Sequence, residues 1–317
     1  MSALALAPDV FAGRRRAVAR ALTAVENGLA GAEALADALY PHTGRAWRIG
    51  ITGPPGAGKS TLTDRLVGHF RAAGQTVAVV AVDPSSPFTG GALLGDRVRL
   101  ADRADDDGVF VRSLAARGAL GGLALAAEAA VDVLDAAGYD VVLLETVGVG
   151  QGELDVAEAA DTTLVVLVPE SGDAVQAMKA GLMEVASVFC VNKDDHPEAG
   201  LLVRALRQML HLRPEADWAV PVTRTSAREN RGIEALAGAL AAHRAHLAPR
   251  AEALRAERLR RRVRRLVEAG WRARFWTPER AADLAATVAA LDPAARTPHA
   301  LASRVLESAR EAPHGAS

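Results

Sequence analysis

The chain has 317 residues, of which 50% are hydrophobic and 24% charged, and its formal net charge is −1. This balance argues against a protein whose main ligand is a nucleic acid or an anionic membrane. The single cysteine, Cys190, excludes an intramolecular disulfide and a metal site made of several cysteines, and its apolar neighbours predict a buried strand position. Because no apolar run approaches the roughly 18 residues of a membrane span, we expect a cytoplasmic protein.

The hydrophobic pattern divides the chain into three parts. Residues 1–44 predict an N-terminal helical extension, residues 45–248 an α/β domain, and residues 249–317 a C-terminal helical or dimerisation arm. The middle part alternates short apolar runs with helical segments, which is typical of a doubly wound, mostly parallel sheet with helices on both faces. The predicted strands are 46–52, 76–82, 109–112, 140–145, 162–168, 185–191 and 218–222.

Apolar spacing predicts helices in both terminal parts. The residues with this spacing are Val18, Leu22, Val25 and Leu29 in the first part and Leu259, Val263 and Leu266 in the last. The arginine-rich segment 250–274 is interpreted as a dimer arm or solvated helix face rather than a nucleic-acid surface, because glutamates offset its arginines and aromatic residues are not interleaved. Two more helices are predicted to begin at "TPE" (277–279) and "TP" (297–298), with threonine as N-cap and proline at the first position.

The segment "GPPGAGKST" follows the first predicted strand and precedes a predicted helix. It fits G-x-x-x-x-G-K-[ST], the phosphate-binding loop, in the required context. Glycines let backbone N–H groups turn toward an anion, and the helix start adds partial positive charge. Lys59 is predicted to reach the β- and γ-phosphates, and Ser60 to bind Mg²⁺. The residues expected to contact the nucleotide are Gly53, Pro54, Pro55, Gly56, Ala57, Gly58, Lys59, Ser60 and Thr61.

The segment "VNKDD" indicates which base is bound. It follows a predicted buried strand and fits N-K-x-D through Asn192, Lys193 and Asp195. A carboxylate at the fourth position can accept hydrogen bonds from N1–H and the 2-amino group of guanine, and adenine offers neither. Lys193 is predicted to lie along the base, and Asn192 to bond guanine and to tie this loop to the phosphate loop.

A second base-facing segment, "TRTSAREN", follows the last predicted strand. Its Ser226 and Ala227 are expected to supply backbone N–H groups to the guanine oxygen. Together the two segments predict GTP and GDP as ligands rather than ATP.

Three acids are expected near the phosphates. We interpret Asp83, Asp96 and Glu145 as groups that converge on Mg²⁺ and its waters, directly or through hydrogen bonds. Gly148 is expected to present its N–H to the γ-phosphate, in an E-x-x-G version of the usual D-x-x-G motif. For Asp96 two other interpretations stay open, namely a solvated charge on a loop and a salt bridge to a nearby arginine. Gln151 is either a residue that orients the attacking water or a switch residue without that role.

These motifs resemble one family, the methylmalonyl-CoA mutase-associated GTPases of the MeaB type, in the SIMIBI class of P-loop GTPases. The matching segments are "GPPGAGKSTL", "VDPSSPFTGGALLGDRVR", "ETVGVGQGE", "VPESGDAVQAMKAGLME" and "VNKDD". Glu145 in place of the usual aspartate is itself a feature of that family. The resemblance is strong over roughly residues 45–240 and extends to the helical ends in layout only. At 112–122 ("RSLAARGALGG") the chain departs from the family, which usually has prolines and serines before the "GxLGG". A contact with a mutase is therefore expected to differ there while nucleotide chemistry does not.

The resemblance implies a homodimeric, GTP-dependent chaperone of an adenosylcobalamin-dependent acyl-CoA mutase. Such proteins gate cofactor transfer from an adenosyltransferase, protect the mutase and help to eject damaged cofactor. Asp173, Gln176 and Lys179 would then couple the nucleotide state to the mutase, whereas without the resemblance their segment is an ordinary amphipathic helix start. Neither a nucleic acid nor a membrane is an expected partner, and which mutase is served stays open.

Two other functions remain possible from the residues. One is a metallochaperone GTPase of the same class that serves nickel insertion, although such proteins usually carry cysteine or histidine clusters and the eight histidines here are scattered. The other is a kinase or ATPase that uses the phosphate loop, against which the guanine-type "VNKDD" segment argues.

Overall fold

The computed structural model describes residues 2–83, 103, 105–115, 122–146, 152–169, 181–213, 217–292 and 297–311. Seven strands form one sheet in the order β3-β2-β4-β1-β5-β6-β7, and every neighbouring pair is parallel. The strands are β1 (Trp47–Thr52), β2 (Val77–Asp83), β3 (Val109–Ala115), β4 (Val141–Thr146), β5 (Thr162–Leu167), β6 (Val188–Val191) and β7 (Val222–Arg224). The predicted doubly wound α/β core is therefore confirmed.

Helices precede, connect and follow these strands. The α-helices are α1 (Ala7–Phe11), α2 (Arg15–Glu26), α3 (Ala32–Leu39), α4 (Lys59–Ala72), α5 (Gly122–Ala136), α6 (Gly152–Ala159), α7 (Leu182–Val185), α8 (Ala199–His211), α9 (Ile233–Leu247), α10 (Ala251–Phe275), α11 (Pro278–Ala290) and α12 (Pro298–Glu311). Short 3₁₀ turns are Ala3–Leu6, Tyr40–His42 and Ala248–Arg250. No helix within the described ranges is long and apolar enough to cross a membrane.

The central strands send alternate side chains into two apolar layers. On β4, Val141 and Leu143 join a layer with α4 and α9, whereas Val142 and Leu144 join a layer with α5 and the N-terminal helices. Toward the β7 edge, β5 and β6 also pack on α7 and α8. Burial on both faces is the reason that these strands appear in the sequence as almost uninterrupted apolar runs.

Three details of the sequence prediction are wrong. The strand predicted at 185–191 begins at Val188, since Val185 ends α7. Leu29 is not helical, because α2 ends at Glu26, and its side chain is half exposed. The last strand is Val222–Arg224 rather than 218–222. Pro221 has no N–H for a strand ladder, and the pairing with β6 begins where its carbonyl accepts the N–H of Phe189.

The predicted strand position of Cys190 is confirmed. It lies on β6 and is fully buried, and burial raises the pKa of its thiol to about 11. The thiol is therefore protonated at neutral pH, as expected of a small apolar core residue.

The chain divides into two compact units, Met1–Leu259 and Arg260–Ser317, and the division falls within α10. In the second unit the predicted helix starts are confirmed. The Thr277 hydroxyl accepts the N–H of Arg280 at 3.2 Å and caps α11, and α12 begins at Pro298.

At the amino edge of the sheet, a buried carboxylate links the end of α5 to the segment that leads into β1. One oxygen of Asp135, near the end of α5, accepts the N–H of Gly44 at 2.6 Å and the other accepts the N–H of Ala46 at 3.0 Å. The guanidinium of Arg48 lies 3.1 Å from Asp132 and 3.3 Å from Asp135, and its side chain is 6% exposed. Burial lowers the pKa of Arg48, but the surrounding carboxylates raise it by more, so the guanidinium stays charged.

The Asp135→Ala substitution is expected to lower the free energy of unfolding by about 3 kcal/mol, because it leaves the N–H groups of Gly44 and Ala46 without their acceptor and removes one partner of a buried ion pair. Urea unfolding followed by far-UV circular dichroism measures this. Asp37→Ala, on the exposed face of α3, is the matched control and should change the value by less than about 0.5 kcal/mol. Equal midpoints for the two variants would contradict the assigned role of Asp135.

Candidate functional site

The described site residues lie at the carboxyl edge of the sheet. Loops 53–58, 192–195 and 225–228 follow β1, β6 and β7, and Glu145 lies at the end of β4. Because all seven strands are parallel, these segments leave the same edge, where open α/β sheets bind their ligands.

At two positions of the phosphate loop, a residue larger than glycine does not fit the backbone conformation and the space available. Gly53 has φ +138°, and a Cβ there would lie 2.1 Å from the carbonyl oxygen of Val166. Gly58 has φ +82°, and its Cβ would lie 2.5 Å from Nδ2 of Asn192. The loop therefore needs glycine both for its backbone conformation and for close contact with β5 and with the loop after β6.

Lys59 begins α4 and is buried within the phosphate loop. Its Nζ donates to the carbonyl oxygens of Gly53 at 2.6 Å and Pro54 at 3.0 Å. The cation therefore lies beside the N-terminus of α4, where the helix backbone also favours an anion.

The next residue, Ser60, contacts the acid at the end of β4. Its Oγ donates to Oε1 of Glu145 at 2.5 Å, and the carboxylate's Oε2 accepts the hydroxyl of Thr63 at 2.8 Å. Glu145 and Thr63 are both buried. A hydroxyl and a carboxylate that converge in this way fit Mg²⁺, which prefers oxygen ligands. Within the described residues no three histidine, cysteine, aspartate or glutamate side chains are grouped as a metal site.

Asn192 ties the phosphate loop to the base-facing loops. Its Nδ2 donates to the carbonyl oxygen of Ala57 at 2.9 Å. Its Oδ1 accepts the Thr225 hydroxyl and the N–H of Ala227, both at 3.1 Å. The side chain is buried, so these contacts fix the distance between two segments that are far apart in sequence.

Asp195 lies beside the second base-facing segment. Its Oδ1 accepts the hydroxyl of Ser226 at 3.0 Å. A hydrogen bond from its own backbone N–H and this hydroxyl lower the pKa of Asp195, so the carboxylate is ionised at neutral pH. Lys193, two residues earlier, has a left-handed backbone with φ +56°.

The two predicted backbone donors of this segment bond within the protein. The N–H of Ser226 donates to the carbonyl of Arg231, and the N–H of Ala227 donates to Asn192. The structure thus brings Asn192, Asp195 and this segment together without directing either N–H away from the protein.

The contacts of Thr63 and Arg65 were not predicted from the sequence. Thr63 bonds Glu145 as described, and Arg65 Nε donates to the carbonyl of Ala227 at 3.0 Å. Thr63 follows Ser60 by three positions, so helical spacing is the signal that could have found it. No sequence signal indicates the contact of Arg65.

The remaining predicted residues form two groups. Asp83 ends β2 at the same carboxyl edge. The predicted residues outside the described part of the chain are Asp96, Gly148, Gln151, Asp173, Gln176 and Lys179.

A family model described as "Methylmalonyl Co-A mutase-associated GTPase MeaB" matches residues 18–279. The chain belongs to this family. It is therefore a GTPase, which binds guanine nucleotide and hydrolyses GTP.

Individual relatives agree with the family match. A Pyrococcus abyssi protein named as a GTPase is 48% identical over 260 residues, 81% of this chain and 78% of its own length. A mouse protein named "Methylmalonic aciduria type A homolog, mitochondrial" is 35% identical over 244 residues, 70% of this chain and 58% of its own length. A crystal structure titled "LAO/AO transport system kinase" is 29% identical, with a TM-score of 0.74 and 97% of each chain covered.

The Asp195→Asn substitution is expected to weaken GTP binding by about 10- to 100-fold while ATP binding changes little, because only guanine presents donors to this carboxylate. Fluorescent-nucleotide titration measures both affinities. The control is Asp194→Asn, whose carboxylate pairs with Arg224 and should leave GTP affinity unchanged. Lys59→Ala should weaken binding of both nucleotides. Wild-type GTP affinity in Asp195→Asn would rule out Asp195 as the residue that reads the base.

Proposed function

We propose that the chain is a GTP-dependent chaperone of an adenosylcobalamin-dependent acyl-CoA mutase of the methylmalonyl-CoA mutase type. In this role hydrolysis is coupled to the loading, protection or ejection of the mutase cofactor. The observation that supports the proposal most is the match to a mutase-associated family over residues 18–279. The mouse relative, whose name refers to methylmalonic aciduria, is a second observation in support.

The nucleotide chemistry proposed for this role uses fixed charges and donors. The backbone N–H groups at the start of α4 and the ammonium of Lys59 would stabilise the charge that develops on the transferred phosphoryl group. Asn192, Lys193 and Asp195 would hold the guanine base. Mg²⁺, when bound, would neutralise further charge on the phosphate oxygens.

We assign the magnesium site to Ser60, Glu145, Asp83 and Asp96. The 2.5 Å contact between the Ser60 hydroxyl and the Glu145 carboxylate supports the first two, and the position of Asp83 at the end of β2 supports the third. Asp96 is included on its place in the sequence alone. Gly148 is assigned as the N–H donor to the γ-phosphate on its E-x-x-G motif.

Communication with the mutase is assigned to the segment that holds Asp173, Gln176 and Lys179. In the proposal these side chains contact the mutase in one nucleotide state and release it in the other. A cobalamin adenosyltransferase is a further proposed partner, because cofactor loading needs a donor of adenosylcobalamin.

We also propose that the chain forms a homodimer through residues 249–317. The support is an apolar stripe on α10, a helix in which no residue is buried. The large exposed apolar residues of the stripe in the second unit are Val263, Leu266, Val267 and Trp271. Such a contiguous exposed stripe on a long helix is typical of an interface between proteins.

GTP hydrolysis is expected to rise on the order of tenfold when the cognate mutase is added, because a partner that favours the arrangement of the site needed in the transition state lowers the barrier to hydrolysis. The measurement is phosphate release with methylmalonyl-, isobutyryl-, ethylmalonyl- and hydroxyisobutyryl-CoA mutase in turn. In Lys179→Ala the ratio of stimulated to basal rate should fall toward one. The absence of stimulation by all four mutases would contradict the proposed role.

Light scattering on a size-exclusion column is expected to give the mass of a dimer for the wild type and of a monomer for Leu266→Glu, because the charge would be buried in the interface. Arg261→Glu, on the other side of α10, introduces the same side chain outside the stripe and should remain a dimer. A wild-type monomer, or dissociation of both variants, would refute this interface.

A further inference from the structure

We infer that Thr63 is a positioning residue for the proposed magnesium site: its hydroxyl holds one carboxylate oxygen of Glu145, so that the other is directed at Ser60. The inference rests on the role proposed above for Glu145. It concerns a residue that belongs to none of the nucleotide-binding motifs.

The geometry shows two donors matched to two acceptors. Ser60 and Thr63 lie three positions apart on α4, so their side chains share one face of the helix. Their hydroxyls donate to different oxygens of the same carboxylate, at 2.5 Å and 2.8 Å. The contact of Thr63 spans 82 residues of sequence and joins α4 to the end of β4.

Because Thr63 is buried, its hydroxyl requires a hydrogen-bond partner within the protein. Its side chain is fully buried, and a buried hydroxyl must find a partner. A threonine inside a helix commonly bonds the carbonyl four residues earlier. Here the hydroxyl instead donates to the carboxylate of Glu145 on another element, so the bond forms only when that carboxylate is in this position.

The two hydroxyls would then have different tasks. Ser60 follows the phosphate-loop lysine and is the residue expected to ligate Mg²⁺. Thr63 lies one turn further along α4 and is not part of that motif. By holding Oε2, it restricts the rotation of the glutamate side chain and leaves Oε1 beside Ser60. Glutamate is one methylene longer than the aspartate usual at this position, so its carboxylate has more rotamers to restrict.

The test is the Mg²⁺ concentration needed for half-maximal binding of a fluorescent, non-hydrolysable GTP analogue. In Thr63→Val it should rise about tenfold, as when an outer partner of a metal ligand is removed. Thr63→Ser keeps the hydroxyl and should restore the wild-type value. Thr162→Val removes another fully buried hydroxyl, at the amino end of β5, and should also behave as wild type. Thermal unfolding checks that each variant is folded.

The same titration on Glu145→Gln separates this inference from the proposed function. We expect a higher Mg²⁺ requirement in Glu145→Gln and no further increase in Thr63→Val/Glu145→Gln, because both changes act through one carboxylate. A normal Mg²⁺ response in folded Thr63→Val, or equal losses in Thr63→Val and Thr63→Ser, would overturn the role of Thr63 alone. A normal response in Glu145→Gln would overturn the proposed role of Glu145, and the role of Thr63 with it.

Discussion

The nucleotide site depends on the hydrogen bonds that the buried side-chain amide of Asn192 makes. This amide bonds the phosphate loop through Ala57 and the base-facing segment through Ala227, so the two ends of the site have a fixed separation. The same side chain lies where a Cβ of Gly58 would be, which explains why the phosphate loop needs glycine at that position. The loop proposed to bind the phosphates and the segment proposed to face the base are therefore joined by one buried side chain.

The parallel sheet makes this arrangement possible. Its strands all point the same way, so segments that are far apart in sequence leave one edge together. At the opposite edge Asp135 and Arg48 fix the start of β1 through buried hydrogen bonds and charge pairs. The strand that carries the phosphate loop is thus anchored at its amino end.

Local patterns were sufficient to predict the sheet and the loops, because apolar runs and short motifs depend on neighbouring residues. The same patterns failed where pairing or exposure decided the outcome. Pro221 displaced the last strand, and Leu29 kept helical spacing after its helix had ended. The contacts of Thr63 and Arg65 could not be predicted, because each depends on the register of α4 against elements 82 and 162 residues away. The family resemblance, in contrast, was confirmed by the match over residues 18–279.

A guanine-specific phosphate-loop site is tested most directly by isothermal titration calorimetry of the wild-type chain with non-hydrolysable GTP and ATP analogues, each with Mg²⁺. We expect the GTP analogue to bind about a hundredfold more tightly, because adenine offers no N1–H or 2-amino donor to the Asp195 carboxylate. Equal affinities, or tighter binding of the ATP analogue, would contradict this account of the site.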